Sequence, residues 1–85
     1  MAELLKDQKF PVGDIYVPTK RRTTLDQAKV DQIAESMLAS GQLTPIMVRA
    51  DGKRFVLVEG LHRLEACKAL GETMIAGILV HARRN

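Results

Sequence analysis

In one part of this chain apolar residues recur at the spacing of a helix face, and elsewhere they form short runs typical of strands. The change between the two patterns indicates where the predicted elements lie. Within residues 24–41 the apolar residues follow the i, i+3, i+4, i+7 spacing of one buried helix face. These apolar positions are Val30, Ile33, Ala34, Met37 and Leu38. Thr24 and Gln27 form a capping-box pair before them, and Gly41 follows as a C-terminal stop. The pattern predicts a helix that begins at Thr24.

A β-hairpin is predicted in the middle of the chain. Residues 45–49 and residues 54–59 have the composition of strands, and Asp51 and Gly52 supply a tight turn between them. The apolar residues 55–58 do not alternate with polar ones, which is typical of a strand covered on both faces. We therefore expect the return strand to be the central strand of the sheet.

The return strand runs directly into a second predicted helix at Gly60. Residues 61–70 form this amphipathic helix, and Gly71 ends it. Its buried face is expected to carry Leu64, Cys67 and Leu70. Shorter strands are predicted at residues 15–17 and 75–80.

The junction of strand, glycine and helix at residue 60 is the strongest candidate for chemistry. The first N–H groups of a helix have no partner within it, and the helix dipole is positive there, so an anion is attracted. Leu61, His62 and Arg63 would supply those N–H groups. The Arg63 guanidinium can bind a phosphate through two hydrogen bonds, and a protonated His62 would strengthen the contact. The sequence therefore predicts a phosphate site led by Gly60.

Two other groups of polar residues could belong to the same site. Lys29, Gln32 and Ser36 form a polar stripe along the first helix, which is either an ordinary solvated face or the far wall of the site. Glu59, just before the glycine, could act as a base or a metal-side acceptor, or could simply end a buried strand at solvent.

Composition restricts the class of protein. Apolar residues make up 46% of the chain and charged residues 27%, which excludes a disordered tail or a collagen-like repeat. Residues 1–85 are expected to form one domain, with a core at 9–82 and a tail at 83–85. No apolar run has the length of a membrane span and no signal peptide is evident, so we expect a cytoplasmic protein without membrane contact.

The cysteine and histidine content argues against a bound metal. The single cysteine, Cys67, cannot form an internal disulfide and is expected to be core, and two histidines provide no metal-ligand spacing. The net charge of +3 is small for a nucleic-acid-binding protein. Part of it lies in the basic loop of Lys20, Arg21 and Arg22, which is either solvated charge or a contact for a polyanion.

The order of these segments resembles the ParB/sulfiredoxin superfamily over nearly the whole chain. In ParB-type partition proteins the segment after the helix reads like G-L-L-Q-P-I-x-V-R, followed by x-G-E-R-R-x-R-A-A. Residues 41–49 and 60–66 occupy those places. In sulfiredoxin the junction reads G-G-C-H-R-Y-x-A, which Gly60, His62 and Arg63 match. The resemblance implies a small α+β domain, with a mixed sheet of about four strands packed by two main helices.

The resemblance also implies a nucleotide site. In both branches the glycine-led helix start holds nucleotide phosphates, and in sulfiredoxin a lysine and hydroxyl residues of the earlier helix line the pocket. Lys29 and Ser36 fall at the matching places, with Gln32 between them. We expect ATP or CTP as the ligand, with Mg²⁺ carried by the nucleotide and no metal held by the protein itself. Arg21 or Arg22 would reach in from the other side.

Departures from the family patterns narrow the activity. Sulfiredoxin chemistry needs a cysteine just before the His-Arg pair, and Leu61 stands there, so this activity is not expected. The ParB pattern is altered at Leu61, His62 and Glu65, which leaves open which nucleotide is bound. Without a helix-turn-helix domain in residues 1–85, only weak, non-specific DNA contact through the basic loop is expected.

Two functions from different classes follow from this reading. The first is a stand-alone nucleotide-binding domain with an accessory or regulatory role in bacterial or plasmid partition, acting with a protein partner that the sequence does not identify. The second is an enzyme of the same fold, a ParB-like nuclease, an ATPase or a phosphotransferase, in which Glu59 would be the catalytic base.

Overall fold

The computed structural model describes residues 8–42 and 44–81, so the tail at 83–85 and the predicted end of the core at residue 82 lie outside it. The described strands are β1 (Gln8–Pro11), β2 (Ile15–Tyr16), β3 (Ile46–Asp51), β4 (Arg54–Glu59) and β5 (Met74–Leu79). The helices are α1 (Thr19–Arg22), α2 (Gln27–Ser40) and α3 (Leu61–Ala69), and a 3₁₀ turn covers Val12–Asp14. The fold is α+β, as predicted.

The five strands form one mixed sheet in the order β1-β5-β3-β4-β2. β3 pairs antiparallel with β4 and parallel with β5. The expectation that the return strand β4 is central was therefore wrong, because β3 occupies the middle of the sheet. Val56 and Leu57, neighbours on β4, are both buried, so that strand is covered on both faces at this point even though it is not central.

β1 was not predicted, and it raises the strand number from about four to five. It pairs antiparallel with β5, and the register joins Phe10 to Ile75. The strand is four residues long, ends in a proline and buries only Phe10, so it carries no local signal of a strand. β2 is one residue shorter than the predicted strand at residues 15–17. Val17 is buried, but it does not pair with β4 as Ile15 and Tyr16 do.

The start of α2 differs from the predicted capping box. Asp26 is the N-cap, and its side chain accepts a hydrogen bond of 3.0 Å from the Ala28 N–H. The Thr24 hydroxyl instead donates to the Arg21 carbonyl at 2.8 Å, and Gln27 donates to Asp31. The segment expected to be a basic loop forms the single turn of α1, which brings the Arg21 carbonyl within reach of Thr24.

The buried face of α2 is narrower than the apolar spacing predicted. Val30 is the residue of α2 that is fully buried, whereas Leu38 is 74% exposed and does not belong to the core. α2 packs mainly on α3, and Met37 in its last turn packs against the core, whereas the next residue, Leu38, does not. Gly41 ends α2 as predicted, with φ of +77°.

α3 lies between the sheet and α2 and supplies the centre of the core. It buries Leu61, Leu64, Ala66 and Cys67, whereas Leu70, predicted to be buried, is half-buried at the C-cap. Along residues 8–42 and 44–81, no helix combines the length and apolar character needed to cross a membrane.

Candidate functional site

The site is built on the first turn of α3. Gly60 is the N-cap in a left-handed conformation, and its carbonyl accepts the first intrahelical hydrogen bond, 2.9 Å from the Leu64 N–H. The N–H groups of Leu61, His62 and Arg63 therefore have no partner within the helix. The helix dipole adds positive potential at the same end. This turn can donate several backbone hydrogen bonds to one anion.

Packing requires glycine at residue 60. The described neighbour is Ile46 at the start of β3, which a Cβ at residue 60 would strike. The positive φ of +110° disfavours other residues as well. The close contact places the start of β3 beside the start of α3 and fixes the direction in which the helix leaves the sheet.

Basic side chains from all three helices converge in front of this turn. A cavity of about 420 Å³ lies there, and we call it the phosphate cavity after the ligand that the sequence predicts. Its lining residues include Arg21 from α1, Lys29 from α2, and His62 and Arg63 from α3, with Glu59 and Gly60 at its edge. The sequence predicts that Arg21, Lys29 and the start of α3 belong to one site, although Arg21 and Arg63 are 42 residues apart. In the structure these residues face one cavity.

The remaining polar residues of α2 line a second cavity beside the first. Gln32, Ser36 and Thr44 surround a volume of about 180 Å³. Ile33 and Arg63 line both cavities, so the two adjoin along the Arg63 side chain. The predicted polar stripe thus divides: Lys29 faces the phosphate cavity, and the other two residues face the adjoining cavity.

Arg22 does not line either of these cavities. It faces a larger one of about 650 Å³ near β2 and the second half of α3. Asp14, Glu65, Lys68, Arg54 and Tyr16 share that cavity with it. The Arg54 guanidinium lies 4.2 Å from the centre of the Tyr16 ring, a cation–π contact. Arg21 and Arg22 were predicted as alternatives for reaching the site, and of the two Arg21 lines the phosphate cavity.

His62 makes a contact that the sequence did not indicate. Its Nε2 accepts a hydrogen bond of 3.0 Å from the backbone N–H of Asp26, the N-cap of α2. A nitrogen that accepts a hydrogen bond carries no proton, so the ring in this arrangement is neutral. The contact links the first turn of α3 to the N-cap of α2.

Glu59 ends β4 at the rim of the phosphate cavity and is exposed. In the part of the chain that the structure describes, no three His, Cys, Asp or Glu side chains come close enough to hold a metal ion together. Glu59 is thus an isolated carboxylate facing a basic cavity, a position suited to accepting a proton or to contacting a cation that a ligand brings.

The thiol is placed away from the helix start. Leu61 occupies the first position of α3 and is buried, while Cys67 lies two turns later and is 1% exposed. Burial raises the pKa of the Cys67 thiol, and the Glu72 carboxylate adds to the effect, while Lys9 and Arg63 oppose it. A buried thiol with a raised pKa is a poor nucleophile.

Gln42 is a structural residue of the site that sequence reasoning missed. Its side chain donates to the Ala76 carbonyl and accepts from the Ala76 N–H, both at 2.9 Å, and so imitates a neighbouring strand beside β5. It also donates to the Thr44 carbonyl at 2.9 Å, which holds a residue lining the adjoining cavity. No local signal could have found a pairing across 34 residues.

Comparison with protein families identifies the chain's relatives. A family model described as the ParB N-terminal domain matches residues 3–85. A probable chromosome-partitioning protein ParB of Campylobacter jejuni is 34% identical over 68 residues, which cover 80% of this chain and 24% of that protein. The chromosome-partitioning protein ParB of Myxococcus xanthus is 33% identical over 72 residues, covering 84% and 24%. The chain spans about a quarter of the length of these relatives.

Solved structures share the fold. Sulfiredoxin from Arabidopsis thaliana superposes with a TM-score of 0.81 at 27% identity, covering 91% of this chain and 86% of that one. The C-terminally truncated ParB of Caulobacter crescentus, complexed with CTP-gamma-S, gives a TM-score of 0.74 at 19% identity, covering 94% and 46%. A free serine kinase mutant in complex with ADP gives 0.74 at 17% identity, covering 87% and 30%. The last two likenesses show the fold alone.

Proposed function

Because the chain belongs to the ParB N-terminal domain family, within the ParB/sulfiredoxin superfamily, we propose that it binds a nucleoside triphosphate, ATP or CTP. The phosphates lie in the phosphate cavity against the N–H groups of Leu61, His62 and Arg63. The Mg²⁺ ion arrives with the nucleotide. Two structural neighbours are complexes with nucleotides, one with CTP-gamma-S and one with ADP, and they support a nucleotide as the class of ligand.

One observation carries this proposal. Arg21, Lys29 and Arg63 come from three different helices and face the same cavity as the start of α3, whose first N–H groups have no partner within the helix. A triphosphate carries several negative charges in a small volume, so it needs both backbone donors and multiple cations within reach. Three cations around one helix N-terminus match that demand.

The nucleoside part is proposed to occupy the adjoining cavity. Ser36, Gln32 and Thr44 offer hydroxyl and amide groups there, which suit a ribose or a base edge. Arg63 lines both cavities, so its side chain can contact the phosphates on the side nearest the sugar. The two volumes, about 420 and 180 Å³, are together of the size of small-molecule sites.

Calorimetric titration with CTP, ATP and ADP tests the proposal. Wild-type protein should bind at least one of them, and Arg63→Ala should weaken that binding about tenfold or more, since a hydrogen bond to a charged group contributes about 1.5–3 kcal/mol. Arg54→Ala is the matched control, because Arg54 is an arginine of the other, larger cavity. The absence of heat with all three nucleotides would refute the proposal.

A role in partition is the corresponding proposal at the level of the cell. We propose an accessory or regulatory role in bacterial chromosome or plasmid partition, with a protein partner, based on the chromosome-partitioning relatives.

DNA contact would be non-specific and would use α1, whose Lys20, Arg21 and Arg22 are exposed. Fluorescence anisotropy with duplex DNA at increasing salt tests this. Lys20→Ala with Arg22→Ala should reduce the salt slope by about 2, and an unchanged slope would remove α1 from the proposal.

Phosphoryl transfer is the second candidate, favoured by the position of Glu59 in the phosphate cavity. Glu59 would accept the proton of an attacking water or hydroxyl group, as catalytic carboxylates do. Phosphate release or DNA cleavage should then require Mg²⁺ and disappear in Glu59→Gln. Glu65→Gln, in the larger cavity, is the control. Activity of the wild type at the level of buffer would exclude this candidate.

A further inference from the structure

The His62 hydrogen bond joins α2 and α3, two of the three helices that line the phosphate cavity. His62 Nε2 accepts from the Asp26 N–H at 3.0 Å. The Asp26 carbonyl in turn accepts from the Lys29 N–H at 3.0 Å, in the first turn of α2. A short chain of hydrogen bonds therefore runs from the helix start of α3 to the backbone of Lys29.

The same bond fixes the chemical state of the ring. The Nε2 lone pair is engaged, so the proton of the neutral imidazole sits on Nδ1. If Nε2 also carried a proton, its N–H would face the Asp26 N–H, and two donors cannot form a hydrogen bond with each other. The hydrogen bond and the imidazolium form exclude each other at this nitrogen.

We infer that His62 is a positioning residue, which in its neutral form ties α3 to the N-cap of α2 and thereby holds Lys29 at the phosphate cavity. The inference rests on the proposed nucleotide site and deepens it. It opposes the reading in which imidazolium His62 is a direct phosphate ligand. The two predict opposite effects of acid: protonation releases α2 and weakens binding if His62 positions, and it strengthens binding if His62 is a cationic ligand.

Charged groups from each neighbouring element face this cavity. They are Arg21 from α1, Lys29 from α2, Glu59 from β4 and Arg63 from α3, and the Asp26 carboxylate caps α2 beside the hydrogen bond. Histidine is the side chain that ordinarily changes charge between pH 5 and 8. A variant that lacks only the ring therefore isolates its effect from the effects of these other charged groups.

His62→Gln is that variant. The glutamine amide oxygen can accept a hydrogen bond from the Asp26 N–H, and an amide does not change charge with pH. Dissociation constants for CTP and ATP should be measured by calorimetry on wild type and His62→Gln between about pH 8 and pH 5.5. The ratio of the two dissociation constants near pH 8 is the reference. At pH 5.5 the wild type should bind about fivefold more weakly relative to the variant, the value of one hydrogen bond. Nucleotide protonation affects both proteins equally and cancels in the ratio.

The outcomes separate the two proposals. A wild type that tightens relative to His62→Gln on acidification, or a constant ratio, overturns the positioning role while leaving the nucleotide site intact. A wild type that binds neither CTP nor ATP at any pH overturns the proposed function. The hydrogen bond is then tested in the free protein by NMR: a nitrogen–nitrogen coupling between the Asp26 amide and His62 Nε2 near pH 8, lost on acidification, is expected. Its absence near pH 8 overturns the inference.

Discussion

Gly60 lies so close to Ile46 that a Cβ at residue 60 would sit 2.7 Å from the Ile46 Cγ2 and 3.0 Å from its Cβ. Ile46 is 1% exposed and begins the central strand β3, so it has no room to withdraw. The left-handed φ of +110° at Gly60 adds a second restriction. The start of α3 is thus fixed against the middle of the sheet, and the donors of its first turn are fixed with it.

Gly60→Ala should destabilise the protein more than the same change at another glycine with positive φ. The conformational strain of about 1–2 kcal/mol adds to an overpacking cost of about 1–3 kcal/mol, because the contact atoms belong to a buried side chain. Gly71→Ala is the control, since Gly71 has φ of +78° and no described residue lies within 4 Å of a Cβ at that position. Urea unfolding measures both. Equal losses would show that the Ile46 contact does not restrict residue 60.

Lys29→Ala should weaken nucleotide binding about tenfold while leaving the fold stable, because the exposed side chain contributes charge to the phosphate cavity and little to packing. The affinity difference between wild type and variant should shrink as salt is raised, since ions screen the interaction. Lys68→Ala, in the larger cavity, is the charge-matched control. If both lysine variants lose affinity equally, general charge rather than a site explains the effect.

Gln42→Ala should lower the free energy of unfolding by about 2 kcal/mol. It removes two hydrogen bonds to Ala76 and one to Thr44, each of about 1 kcal/mol in net terms, and solvent compensates part of the loss at this half-buried position. Gln32→Ala, on the exposed face of α2, should change stability by less than about 0.5 kcal/mol. A similar small value for Gln42→Ala would mean that its pairing with β5 is not formed in solution.

The local parts of the fold were predictable from sequence. The hairpin of β3 and β4, the glycine that begins α3 and the glycine that ends α2 are encoded in neighbouring residues, and all three are present. The N-cap of α2 was misplaced because Thr24 and Asp26 are both good capping residues two positions apart. Only the turn of α1, which engages the Thr24 hydroxyl, decides between them.

Long-range relations were not predictable in the same way. β1 meets β5 across more than 60 residues, and β3 became central because β5 pairs with it in parallel. The contact between Asp26 and His62 spans 36 residues and links a backbone donor to a ring, so no residue pattern announces it. Leu38 matches the helical spacing, yet among the described residues it is 74% exposed.

Cys67 should be unreactive in the folded protein and should make stability depend on alkaline pH. Because burial raises the pKa of its thiol in the folded state, the unfolded chain loses that proton first as pH rises. The free energy of unfolding should therefore fall above the ordinary thiol pKa of 9.0, by at most about 1.4 kcal/mol per pH unit. Cys67→Ala should lack this slope in urea unfolding, and an identical slope would contradict the assignment.

Amide NMR shift changes during titration with the nucleotide most directly test the claim that the start of α3 binds nucleotide phosphates. The amides of Leu61, His62 and Arg63 should shift most, because the phosphates accept hydrogen bonds from these groups. Gln32 and Ser36 should follow if the nucleoside lies in the adjoining cavity. Shifts concentrated instead at Tyr16 and Lys68, around the larger cavity, would contradict the account, as would a spectrum that does not change.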